Sequence, residues 1–106
     1  FIASTPTSSE VLALLTPASG ETILFADDFA GSTCVTGTNP TGSFVIDIQK
    51  NGSSVGSLTI ATNGAATFAT TGTTVSLSGT DVLKLVAPAS ADATLANVAI
   101  TLRGSN

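Results

Sequence analysis

Apolar and polar residues alternate with a period of two through most of this chain, and turn residues punctuate the alternating stretches. From Ser43 to Gln49, Phe44, Ile46 and Ile48 point one way, and Val45, Asp47 and Gln49 the other, as on a half-buried strand. Lys50-Asn51-Gly52-Ser53 follows, and Asn-Gly between alternating segments is the strongest short hairpin signal. Val55 to Ala61 returns with Leu58 and Ile60 on one face. Asn63-Gly64 marks a second turn and Ala65 to Ala69 a third strand, so residues 43–69 are predicted to form a three-stranded meander.

The same reading places a strand at 73–77 with Val75 and Leu77 inward. A turn over Ser78-Gly79-Thr80-Asp81 leads to a strand at Val82 to Val86, with Leu83 and Leu85 inward and Lys84 outward. Ala87-Pro88 ends it, because proline removes a ladder donor. Thr94 to Arg103 reads as the last strand, with Ala96, Val98, Ile100 and Leu102 toward the core and Asn97, Thr101 and Arg103 outward. In the first third, Thr22 to Phe25 and Ser32 to Val35 are strands separated by a loop containing Asp27-Asp28-Phe29. Glu10 to Thr16 carries Val11-Leu12-Ala13-Leu14-Leu15, apolar on both faces. That pattern predicts a strand buried on both sides, with Leu12 and Leu14 forming an oligomer interface against a neighbouring chain. The whole is an all-β fold, a single antiparallel β-sandwich over residues 1–106. It has about eight strands and is jelly-roll-like, with other Greek-key sandwiches fitting the same spacing.

Composition narrows the class further. The 106 residues make one domain. Only 9% are charged, against about 25% in an ordinary soluble domain, which suits an assembled structural protein that need not repel its neighbours. The net charge is −4 and the three cations, Lys50, Lys84 and Arg103, are scattered, so nucleic acid is not an expected partner. No apolar run approaches the roughly 18 residues of a membrane span. The first residues carry neither a basic signal-peptide region nor an initiator Met, and read as part of a longer or processed chain. Cys34 is alone, so no internal disulfide is expected, and its reading is a small buried apolar residue.

Candidate chemistry is sparse. There is no His, Tyr, Trp or Met, which excludes Ser-His-Asp and Cys-His catalysis and histidine zinc sites. The chain is expected to be no enzyme and to need no cofactor. Asp27 and Asp28 are the one local acidic cluster, either part of a calcium site or a solvated turn. Phe25, Phe44 and Phe68 are expected in the core, whereas Phe1 and Phe29 are expected to be exposed. Asp27, Asp28 and Phe29 therefore stand as a candidate ligand or interface contact.

One ordered series of segments is less generic. It comprises Ser43-Phe-Val-Ile-Asp-Ile-Gln-Lys-Asn-Gly52, Val55-Gly-Ser-Leu-Thr-Ile60, Ala65-Ala-Thr-Phe68, Gly79-Thr-Asp-Val-Leu-Lys-Leu-Val-Ala-Pro88 and Ala91-Asp-Ala-Thr-Leu-Ala-Asn-Val-Ala-Ile-Thr-Leu102. With the opening, Phe1-Ile2 through Thr5-Pro6-Thr7 to Ser9-Glu10-Val11-Leu12, it resembles a domain that recurs in structural proteins of tailed phages and prophages, often near the end of a tail or tail-fibre protein. The resemblance is weakest over residues 18–42. It implies a virion component, a homo-oligomer among other virion proteins that acts in assembly or host-surface attachment and faces host glycans. It brings no catalytic residues. A carbohydrate-binding module and a capsid decoration protein are the alternatives. Where that domain has a Gly-Asp turn, this chain has Gly79-Thr80-Asp81, and the extra residue suggests a bulge.

Overall fold

The computed structural model describes residues 5–18, 20–72, 74–90, 92 and 94–105. Among them are ten strands: β1 (Val11–Leu15), β2 (Thr22–Phe25), β3 (Thr33–Thr38), β4 (Phe44–Lys50), β5 (Ser53–Ile60), β6 (Ala66–Thr70), β7 (Val75–Ser78), β8 (Leu83–Val86), β9 (Ala96–Thr101) and β10 (Gly104–Ser105). A 3-10 turn at Asp27–Phe29 lies between β2 and β3. The strands form a five-stranded sheet in the order β1-β8-β4-β5-β6, a three-stranded sheet β10-β2-β7 and a two-stranded sheet β3-β9. Every pairing is antiparallel. The molecule is all-β, consistent with a β-sandwich.

The meander forms as its turn chemistry dictates. Asn51 and Gly52 sit at φ 52° and 88°, the paired positive dihedrals that match a two-residue turn to the twist of its strands. The resulting register sets Phe44 opposite Ile60 and Ile46 opposite Leu58. Their inward faces, with Ile48, Leu83 and Leu85, are buried against Phe25, Val75, Leu77 and Val98 from the smaller sheets. Each such side chain removed from water stabilises the fold by about 1.5–3 kcal/mol.

Two expectations need correction. The last strand does not run through Arg103: β9 ends at Thr101 and pairs with β3, and a separate short strand beyond it, β10, pairs with β2. Between them the Arg103 amide donates to Ser32 Oγ at 2.8 Å instead of to a ladder carbonyl, and this change of partner is what raises the strand number. Nor is Gly79-Thr80-Asp81 a bulge. The Asp81 amide closes a turn onto the Ser78 carbonyl at 3.0 Å, carrying the chain from β7 in one sheet to β8 in the other. The register shifts lie in β1, between Val11 and Ala13, and in the β4–β5 pair, between Ile48 and Gln49. Thr73, expected to begin a strand, lies outside the described residues.

Candidate interaction surface

The Asp27-Asp28-Phe29 segment is an internal latch. Asp28 and Phe29 both adopt positive φ, 55° and 49°, which turns the Phe29 ring back into the protein. Phe29 is 1% exposed, with ring centroids 5.5 Å from Phe25 and 6.1 Å from Phe68. The expectation of an exposed Phe29 is therefore overturned. A loop without strand periodicity concealed a backbone reversal that delivers the ring to the core. The two carboxylates are occupied close by. Thr70 Oγ1 donates to Asp27 Oδ1 at 2.6 Å, the Thr70 amide donates to Asp28 Oδ1 at 3.0 Å, and the Asp28 amide donates back to Thr70 Oγ1 at 3.1 Å. Ring and carboxylates together fasten this turn to β6. Among the described residues no three His, Cys, Asp or Glu side chains cluster to hold a metal ion. Phe1, the other candidate for exposure, lies outside the described residues.

The other acidic side chains mostly serve loops as well. Glu10 Oε1 accepts from the Thr7 amide at 2.7 Å and hydroxyl at 3.0 Å. Asp47 accepts from Gln49 Nε2 at 2.8 Å and from Ser54 Oγ at 2.6 Å. Asp81 joins two turns: it accepts from Asn51 Nδ2 at 2.9 Å and from the Ser78 amide at 3.1 Å. The hydrogen bond from Asn51 leads the influences that hold the Asp81 carboxyl below its ordinary range. Cys34, on β3 opposite Ile100, is half-buried, and burial pushes its thiol up.

The structure divides the apolar run at 11–15. Val11 stands opposite Val86 and Ala13 opposite Leu85, so Leu12 is the extra residue of a bulge. Strict alternation would put Leu12 and Leu14 on one face; the bulge separates them. Leu12 and Leu15 pack against the core, whereas Leu14 is 66% exposed and Val11 47% exposed. Leu14 stands beside Lys84 and Val11 beside Val86, on the outer face of the five-stranded sheet. A groove of about 270 Å³ runs along the strand, lined by Leu12, Leu14, Leu15, Leu85, Ile100 and Leu102.

Among the described residues β1 is an end strand of its sheet and pairs with β8 alone. Edges of this kind are usually protected by charge, proline or a bulge. Here only the bulge is present, since Val11–Leu15 contains no charge and no proline. Sequence reasoning missed other exposed apolar side chains, notably Val35 on β3, another end strand. The uncharged run Thr33-Cys34-Val35-Thr36 was its available signal. No helix among the described residues is long and apolar enough to cross a membrane. No family model matches the chain, and neither a curated protein nor a solved structure matches it.

Proposed function

We propose that this chain is a non-catalytic structural module of a phage virion, part of a tail or tail-fibre protein that acts in assembly and host-surface attachment. Resemblance supplies the virion setting. The observation that carries the assembly role is the exposure of Leu14 and Val11 on an uncharged end strand beside an apolar groove. Such an edge offers unpaired backbone groups for strand addition and apolar side chains for the contact, and a second copy of the chain offers the same surface in return. The non-catalytic part is supported by the use of the carboxylates: Glu10, Asp27, Asp28, Asp47, Asp81 and Asp92 all accept hydrogen bonds from the protein's own turns and strands. Burial of Phe29 removes its ring as a platform for stacking a sugar, so glycan recognition by that residue is not retained.

Sedimentation velocity over a concentration series tests the assembly role. The chain is expected to associate, and Leu14→Lys to sediment as a monomer with an unchanged melting temperature. A wild-type chain that stays monomeric throughout overturns the homo-oligomer. Gold-labelled antibody on the parent particle should decorate the tail; label on the head would reassign the module to capsid decoration.

A further inference from the structure

Arg103 and Gly31, far apart in sequence, build a second feature. Residues Phe29 to Ser32 form a type II turn. The Ser32 amide donates to the Phe29 carbonyl at 2.9 Å, Ala30 has φ −49° and ψ 132°, and Gly31 has φ 87°. That turn requires positive φ at its third position, which glycine supplies without strain. Gly31 also leaves room above it. A Cβ there would lie 2.5 Å from Arg103 Cδ and 3.0 Å from a terminal guanidinium nitrogen, so the Arg103 side chain lies directly over the glycine. Its backbone is held on both sides, by the hydrogen bond that its amide donates to Ser32 Oγ at 2.8 Å and by Gly104 paired opposite Phe25. Stem and backbone are thus ordered in advance, which lowers the entropy lost when the guanidinium takes a ligand.

Among the described residues the donors here are uncommitted. Among the described residues the ion pair is Lys50 with Asp81, 3.7 Å apart, and none of their carboxylates lies within that reach of Arg103. Asp27 and Asp28, close by in sequence to the turn, are occupied by Thr70. The Gly31 amide likewise makes no hydrogen bond among the described residues. Arg103 and Gly31 line a concavity of about 310 Å³, together with Leu24, Ala26, Ala30, Gly104 and Ser105.

We propose that this concavity binds the carboxylate of an acidic saccharide, with Arg103 as the anion-binding residue. The planar guanidinium fork matches a carboxylate in two parallel hydrogen bonds. Ser105 adds a hydroxyl, and Leu24, Ala26 and Ala30 offer apolar contact to the C–H groups of a ring. The volume lies at the lower end for ligand sites, roughly 300–1,000 Å³, and suits one sugar ring rather than an extended chain. The site gives the attachment half of the proposed function a ligand class without any exposed aromatic. It rests on its own geometry, so its failure would leave the β1 assembly role untouched.

The test is a titration of the full chain with glucuronate, followed by amide and guanidinium NMR shifts. Saturable shifts at Gly31 and Arg103 are expected, with affinity falling as salt is raised. Glucose, which lacks the carboxylate, should give none. Acetate and inorganic phosphate should bind at least about tenfold more weakly than glucuronate, because they lack the ring or the planar geometry. Arg103→Gln, at an exposed position, should keep the melting temperature and lose the shifts. Arg103→Lys, which keeps charge and stem, should also lose about tenfold in affinity if the fork matters. The proposal is overturned if glucuronate shows no saturable shifts, if Arg103→Gln retains them, or if acetate or phosphate binds as well as the sugar.

Discussion

Thr41 donates both its amide and its hydroxyl to one oxygen of Asp92, at 2.9 and 2.8 Å. The Gly42 amide approaches the same oxygen at 3.3 Å, and the other oxygen accepts from the amides of Thr94 and Leu95 at 2.9 and 3.1 Å. One side chain thereby ties the loop before β4 to the loop before β9. The Thr94 amide leads the hydrogen bonds that hold the Asp92 carboxyl well below the usual carboxylate range. Because the folded value lies below the unfolded one, about 3.9, the stabilisation is complete above the unfolded value. It is lost as pH falls through that value toward the folded one. Asp92→Asn should therefore melt below the wild type at neutral pH, and the gap should shrink in melts at progressively lower pH below about 4. A gap that stays constant with pH would show that the carboxylate charge is not what clamps the loops.

Phe29 and Gly56 form a second coupled pair. A Cβ on Gly56 would collide with the Ala69 carbonyl oxygen and lie 3.2 Å from Phe29 Cε2. Phe29→Ala is expected to cost about 3–5 kcal/mol, as for other buried aromatics. Gly56→Ala should cost about 1–3 kcal/mol through overpacking. In the double variant the clash with the ring is gone and the clash with the carbonyl remains, so the combined cost should fall short of the sum. Urea denaturation of the four chains measures the coupling, and strict additivity would show that the two sites do not meet.

The meander was legible because Asn51-Gly52 and the alternation around Ile46 and Leu58 specify the same register from two directions. Phe29 was not, because its burial comes from two consecutive positive dihedrals, and adjacent aspartates give no sign of such a reversal. Alternation also misplaced Leu12, since a bulge adds a residue without a marker such as glycine or proline. Arg103 was rightly read as outward, but its shelf at Gly31 belongs to a turn distant in sequence, and pairing of that kind is a property of the folded chain.

Asn51 couples the β4–β5 turn to the turn before β8. Its side chain donates to Asp81 Oδ1 at 2.9 Å and accepts from the Val82 amide at 2.9 Å. Asn51→Asp preserves the shape and removes the donor, setting one carboxylate against another. The Asp81 titration midpoint, read by carboxyl NMR, should then rise from its depressed value. The variant should be destabilised most at neutral pH and recover as acid protonates the pair. An unmoved Asp81 midpoint would mean that Lys50 and the Ser78 amide, rather than Asn51, set its acidity.

Cys34 provides a kinetic probe of the two-stranded β3–β9 sheet. The thiolate is the nucleophile in alkylation, and burial holds the Cys34 thiol above its ordinary value. At mildly alkaline pH the native chain should therefore react with iodoacetamide more slowly than the chain in urea, since a raised pKa lowers the fraction ionised. Raising the pH should narrow that difference as the native thiol ionises. Alkylation that is equally fast with and without urea would show that β3 opens readily from β9. The thiol would then be sampling solvent and not the half-buried position opposite Ile100.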